Sequence, residues 1–277
     1  MTERLRSMLF APGNKSELLK KLVKIQPDAA IVDLEDAVPD AEKDKARENL
    51  QQFVSSAESK KLDIFPRVNP VSSRHFERDI QILPPEVAGV VIPKISSVGE
   101  LEEAKKALSK DSVIANIMVG IETVAGVVSA TEILRSDSVI AAYFGAEDYV
   151  LDLGGIRTPE NDEVFLARSQ LGMASRLSGV PVVDQIVADF SDSERFIKEA
   201  EQARSLGFAG KLCIHPSQVI LANQSFSYSA DEITRAKELL AVYDQAVLQG
   251  SASVVFDGQM IDEALAKQAR RVLGLNN

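Results

Sequence analysis

Glu122, in the run GIET, and Asp148, in GAED, have the residue type and spacing to act together. Each closes an apolar, β-branched stretch, VIANIMVGIE or SVIAAYFGAED, so each is expected to project from the C-terminal end of a strand, 26 residues apart. That separation is one strand-and-helix unit. If successive parallel strands are neighbours, both carboxylates reach the same mouth of the same sheet, where α/β barrels keep their chemistry. Two carboxylates at one mouth suit a divalent cation. The plainer reading is that each caps the following helix or pairs with a surface lysine.

Other reactive side chains recur at strand ends. The stretch AAIVDLED delivers Asp33, Glu35 and Asp36, and strand alternation puts Asp33 and Glu35 on one face. Two such acids need a cation, a basic partner or a raised pKa. Arg67 lies in PRVNP, flanked by rigid residues, where its planar fork suits a carboxylate or a developing oxyanion; a purely structural ion pair with Asp33 or Glu35 competes with that role. Lys94, in VIPKI, could form a Schiff base only in an apolar pocket that depresses its pKa. With at least four acids nearby its pKa should rise, so it reads as an electrostatic partner. His215, in CIHPSQ, is a candidate base or ligand beside the commoner outcome, an imidazole held by a backbone hydrogen bond.

Positioning these residues takes eight strand candidates, SMLFA, AAIVDLE, DIFPRVN, AGVVIPK, VIANIMVGIE, SVIAAYFGAE, VPVVDQIVA and GKLCIHP, separated by amphipathic stretches. Strand alternating with helix predicts a parallel sheet, and eight units in a chain of 277 residues predict closure into a (β/α)8 barrel. After the first strand, Asn14 and Glu17 have capping-box spacing for a helix whose start would attract phosphate, with Lys15 in its first turn. In PDAEKDKARENLQQFV, Ala46, Leu50, Phe53 and Val54 form an apolar stripe and the charges are expected to face water. Asp184 and Asp189 read as helix caps, and His75 as a surface residue. The barrel is expected over residues 1–228. Residues 229–277 form a helical extension that begins with a Ser229/Glu232 capping box, carries an Asp257-Gly258 turn before Asp262, and is expected to pack on a neighbouring subunit.

Composition narrows the function. The net charge of −10 argues against a nucleic-acid surface, although residues 1–24 carry a local excess of +4 that would suit an anionic ligand. Cys213 is the only cysteine and sits in an apolar run, so it reads as core. No run of 18 apolar residues occurs and the N-terminus lacks a signal-like segment, so a cytoplasmic protein without a membrane anchor is expected. There is no GxSxG, P-loop, GxGxxG after a strand, or HExxH, and two histidines with one cysteine disfavour zinc. Carboxylate-only ligation suits Mg²⁺.

The runs RSMLFAPGN, IVDLEDAV, PRVNP, GVVIPK, IETVAGV, FGAEDY, DLGGIRTP, GKLCIHPSQV and DGQMID resemble, in order and over almost the whole chain, the citrate lyase beta-subunit-like (CitE-like) proteins of the HpcH/HpaI aldolase family. The resemblance implies a TIM barrel and Mg²⁺ held by Glu122 and Asp148. It implies Arg67 and Glu147 at the substrate, with Asp33, Glu35, Asp36 and Lys94 around them. It also implies a coenzyme A thioester touching Phe10, Lys15, Ile214 and His215, and Asp262 completing a neighbouring subunit's site in a homotrimer or hexamer. Two departures stand out: Asn14-Lys15 replaces an Asp-Arg pair common in relatives, and the chain ends soon after Asp262.

The implied activity is Mg²⁺-dependent cleavage or condensation of a β-hydroxyacyl-CoA, such as malyl-CoA, citramalyl-CoA or citryl-CoA, into an acyl-CoA and a 2-keto acid. Three alternatives stand beside it: a citrate lyase beta subunit acting on citryl-acyl carrier protein, a malyl-CoA thioesterase, and a catalytically silent barrel scaffold.

Overall fold

In the computed structural model, which describes residues 4–111 and 116–275, eight parallel strands close into a barrel in sequence order. They are β1 (Ser7–Pro12), β2 (Ala29–Asp33), β3 (Ile64–Arg67), β4 (Val90–Ile92), β5 (Ile117–Ile121), β6 (Val139–Phe144), β7 (Val182–Asp184) and β8 (Gly210–Cys213). β8 closes on β1 through Ser7–Lys211 and Leu9–Cys213 pairing. All eight strand stretches expected from the sequence are present; β1 runs one residue longer, through Pro12, and the other seven are shorter, their C-terminal portions leaving the ladder to form the mouth. Residues 113–115 of the fifth stretch lie outside the described residues.

Strand alternation sorts the apolar residues into two cores. Met8, Ile31, Phe65, Val91, Met118, Tyr143, Val183 and Leu212 fill the barrel, and their sequence neighbours pack outward against the helices. The same parity, followed to the C-terminal ends of the strands and one residue beyond β5, places Phe10, Asp33, Arg67 and Glu122 over the inner core.

The surrounding helices are α1 (Ser16–Ile25), α2 (Lys43–Val54), α3 (Phe76–Gln81), α4 (Val98–Asp111), α5 (Val124–Leu134), α6 (Ala146–Leu153), α7 (Asp162–Ser178), α8 (Ser193–Ser205) and α9 (Pro216–Ser225). α7 stops where expected, with Gly179 at a φ of 77°, a conformation that glycine adopts without a Cβ clash.

Several local expectations are corrected. Asn14 does not cap α1: the helix starts at Ser16 behind Lys15, without a side-chain cap, and Asn14 is buried, donating to Glu42 Oε2 at 2.8 Å. In α2 the apolar stripe is buried as expected, yet Lys43 and Arg47 are buried too. Asp189 accepts from Ser191 N and Oγ, and Asp192 is the residue that caps α8. Asp184 is fully buried in a bidentate pair with Arg168 (2.9 and 3.0 Å), and Lys211 Nζ joins it at 2.9 Å. His75 is only partly exposed and pairs with Asp40 at 2.6 Å.

The chain divides into two compact units, Met1–Phe226 and Ser227–Asn277. The second holds α10 (Ala230–Leu248), an antiparallel hairpin of β9 (Val254–Phe256) and β10 (Gln259–Ile261), and α11 (Glu263–Val272). Ser229 and Glu232 form the reciprocal capping box. Asp257 and Gly258 both take positive φ, 48° and 73°, the pair a two-residue hairpin turn requires. Ala236, Leu240, Tyr243, Ile261, Ala266 and Ala269 make this unit's own small core. Among the described residues, no helix is long and apolar enough to cross a membrane.

Candidate active site

Glu122 follows β5 directly and turns inward over the barrel core, 2% exposed. Two glycines make its room. A Cβ on Gly120 would land on Glu122 Oε1 and the Tyr143 hydroxyl, and one on Gly145 would sit 2.6 Å from Glu122 Oε2. Tyr143 Oη donates to Oε1 at 2.6 Å, and the backbone N–H of Lys94 reaches the same oxygen at 3.2 Å. Lys94 itself holds φ of 57° to present that amide. Burial pushes the Glu122 carboxyl up to about 7; Arg67 opposes the shift, Glu35 adds to it, the Tyr143 hydrogen bond opposes it and Asp148 adds again.

Asp148 does not sit at a strand end. It lies in the first turn of α6, whose N-cap is Gly145, so helix geometry rather than strand direction brings it to the mouth. Its Oδ1 is 3.5 Å from Lys94 Nζ, which also reaches Glu35 Oε1 at 2.7 Å and Asp36 Oδ2 at 2.9 Å. Burial works against the lysine's charge, but Glu35 and Asp36 outweigh it and hold the ammonium above its usual range. Three carboxylates around one ammonium favour an electrostatic role for Lys94 over a Schiff base.

Arg67 ends β3 and binds Asp33 as a fork, Nε at 2.7 Å and Nη2 at 2.6 Å, with Nη1 2.9 Å from Glu35 Oε2. Among the described residues that ion pair is the one partner of a buried oxygen that accepts no hydrogen bond. Asp33 also accepts the backbone N–H groups of Glu35 (3.0 Å) and Ala37 (3.1 Å). Burial opposes its ionisation, but Arg67 and these amides keep it below the ordinary carboxylate range. Glu35 goes the other way, raised by burial that Arg67 and Lys94 only partly offset. The guanidinium lies 4.9 Å from the Phe10 ring centroid, and Phe10 meets Tyr143 edge-on at 6.0 Å.

Glu147, Lys15, Ile214 and His215 make no hydrogen bond or ion pair with this cluster among the described residues. Glu147 is exposed and turned to Arg157 at 3.1 Å. Lys15 is exposed at the start of α1. Ile214 is exposed, and His215 caps α9 through Nδ1, which accepts from Ser217 N at 3.3 Å while its ring stacks on Phe190 at 4.6 Å. Asp262 caps α11, accepting from the backbone of Ala264 (2.9 Å) and Leu265 (3.2 Å). Sequence reasoning missed Tyr143, Gly120, Gly145, Lys43 and Asn69. Strand parity carries a signal for Gly120 and Tyr143, which share the inward face with Glu122 and Gly145; nothing local marks Lys43 or Asn69.

Five carboxylates (Asp33, Glu35, Asp36, Glu122 and Asp148) meet two cations, Arg67 and Lys94, at this mouth. Among the described residues no three His, Cys, Asp or Glu side chains form a ready metal cage. The donor set, all oxygen and with more carboxylates than the two cations compensate, fits Mg²⁺, which takes one or two carboxylates and fills its sphere with water and ligand oxygens.

The fold and site together describe a (β/α)8-barrel with an acidic, metal-compatible mouth. The family model for HpcH/HpaI aldolase/citrate lyase matches residues 6–216, and the chain belongs to that family. A citrate lyase subunit beta-like protein of Deinococcus radiodurans is 44% identical over 275 residues, spanning 97% of this chain and 96% of that protein. A (3S)-malyl-CoA thioesterase of Cereibacter sphaeroides is 32% identical, spanning 97% and 93%. The crystal structure of CitE from Mycobacterium tuberculosis in complex with magnesium, acetoacetate and coenzyme A superposes with a TM-score of 0.85 at 26% identity, covering 99% of both chains.

Proposed function

We propose that the protein is a Mg²⁺-dependent carbon–carbon lyase that cleaves or forms a β-hydroxyacyl-CoA, exchanging it with an acyl-CoA and a 2-keto acid. The observation that carries this reading is the buried Glu122, seated in a glycine-lined gap beside Asp148 with more negative charge around it than Arg67 and Lys94 neutralise. The M. tuberculosis neighbour bound to magnesium, acetoacetate and coenzyme A supports the ligand class.

Glu122 and Asp148 would hold the metal, which supplies Lewis-acid polarisation of the substrate's hydroxyl and carboxylate oxygens. Arg67 donates two of its five N–H groups to Asp33 and faces Glu35 through an ion pair, leaving donors for the oxygen that gains charge as the acyl thioester enolate departs. Asp33, locked ionised by its fork and two amides, fixes the guanidinium's orientation. Lys94 tempers the repulsion among Glu35, Asp36 and Asp148. Phe10 and Tyr143 exclude water beneath the reacting atoms. Lys15, Glu147, Ile214 and His215 are assigned to the thioester's approach, with the Phe190–His215 stack offering a flat apolar shelf. Asp262 is assigned the proton returned to the enolate carbon, from the C-terminal unit of a neighbouring copy in a homotrimer or hexamer. A cytoplasmic setting accords with the single buried thiol.

Two related readings share the site. The likeness to citrate lyase beta subunits makes an acyl carrier protein the alternative thioester carrier, and the likeness to the thioesterase makes hydrolysis the alternative outcome. The test is turnover of malyl-CoA, citramalyl-CoA and citryl-CoA by the purified chain with Mg²⁺. Glyoxylate, pyruvate or oxaloacetate is the expected product. Free malate without glyoxylate would select the thioesterase, and no turnover of any thioester would leave the scaffold reading.

A further inference from the structure

Between the Asp33–Glu35 loop and the Arg67–Asn69 loop lies a buried brace centred on Lys43. Lys43, 7% exposed on the first turn of α2, spends its three donors on Leu34 O (2.7 Å), Glu35 O (2.9 Å) and Asn69 Oδ1 (2.8 Å). Asn69 donates from Nδ2 to the same Leu34 carbonyl at 3.0 Å and to Asp79 Oδ2 at 2.6 Å. Asp79, fully buried, also accepts the Asn69 backbone N–H at 2.9 Å and is held by Arg47 Nε at 2.8 Å. On the other side, Leu34 N donates to Arg67 O at 2.9 Å.

The backbone of Leu34 is therefore fixed at both ends to the exit of β3, and Leu34 separates the two acids that grip Arg67. A buried ammonium whose hydrogen bonds go to two carbonyls and a side-chain amide, and not to the carboxylates of Asp33, Glu35 and Asp79 that act on it, is poorly explained by charge neutralisation. It is well explained by geometry: it joins two loops that carry Asp33, Glu35 and Arg67.

We infer that Lys43 is a positioning residue, locking the β2 and β3 exits together through Leu34, Glu35 and Asn69 so that Arg67 stands at the place where transition-state charge develops. The inference rests on the proposed lyase reading, because it assigns Arg67 a role in the reaction. A displacement of about 1 Å in such a group costs on the order of 10²-fold in rate. Since all three Lys43 donors are spent on protein groups, the loss belongs in kcat, with KM nearly unchanged.

The experiment compares wild type with Lys43→Met, Asn69→Ala, the double variant, and Lys45→Met, which alters an exposed side chain of the same helix. Each is assayed with Mg²⁺ and the thioester that wild type turns over, and each is melted to establish that it is folded at the assay temperature. The expected result is a kcat about 10-fold to 10²-fold lower for Lys43→Met and for Asn69→Ala, KM within about threefold, a double variant no worse than the more damaged single one, and Lys45→Met unchanged. If Lys43→Met does not fold, Asn69→Ala alone must show the kcat loss. Wild-type kcat in folded Lys43→Met or Asn69→Ala, or losses that multiply in the double variant, would overturn the positioning role. An inactive wild type would instead refute the lyase reading.

Discussion

Replacing Glu122 with glutamine isolates the electrostatic cost of the site. The carboxyl's folded-state pKa of about 7 lies above its ordinary 4.5, so the fold favours the protonated form. The sign follows: this preference stabilises the protein fully below pH 4.5 and is lost as pH rises through 7. At about 1.4 kcal/mol per pH unit, the whole effect is about 3 kcal/mol, of which about 2.5 kcal/mol is lost between pH 5 and 8. The glutamine amide oxygen can accept the Tyr143 hydroxyl and Lys94 amide bonds but does not ionise. In metal-free buffer, melting temperatures of wild type and Glu122→Gln are compared at pH 5, 6, 7 and 8. The difference at pH 5 sets the baseline for packing. Relative to that baseline the variant should gain about 5–10 °C by pH 8, at roughly 2–4 °C per kcal/mol for a chain of this size. Saturating Mg²⁺ should flatten the wild-type slope and leave the variant's unchanged. A difference that stays constant from pH 5 to 8 would refute the assignment of a buried, charge-starved carboxylate.

Three further outcomes are expected. Gly145→Ala, whose Cβ would lie 2.6 Å from Glu122 Oε2, should push the carboxylate off its seat and lower kcat by about 10²-fold, measured by thioester turnover. Asp262→Asn keeps a good helix cap while removing the acid, so melting should be unchanged while kcat falls. Asp262→Ala should also lose about 1 kcal/mol of stability, and equal activity in wild type and both variants would confine Asp262 to capping. Lys211→Met strips a buried cation from Asp184 and Glu199, far from the reacting groups by its outward facing, and should lower the melting temperature by about 6–12 °C, from roughly 3 kcal/mol, with little change in KM.

The barrel was legible because hydrophobic period is a local property: each strand announces itself by β-branched residues and each helix by its stripe. Alternation is equally local and put Asp33 and Glu35 on one face, while Arg67 and Glu122 were legible as strand ends at the mouth. Asp148 reached the mouth by a different route, the first turn of α6, because a helix start cannot be told from a strand end when the apolar run passes straight through Phe144-Gly145-Ala146. What the sequence hid were bonds between distant segments. Lys43 looks like one more charge on an amphipathic helix, and only the closure of β2 against β3 shows that it points inward. Asn14 and Asp189 likewise had the types of caps, but Glu42 and Ser191 claimed them first.

The most direct test of the central claim is a calorimetric titration of Mg²⁺ into the protein with pyruvate or oxaloacetate present, repeated for Glu122→Gln and Asp148→Asn. One site per chain in wild type, tighter at pH 8 than at pH 6, and none in either variant is the expected result. Binding that survives both substitutions, or no binding to wild type, would contradict it.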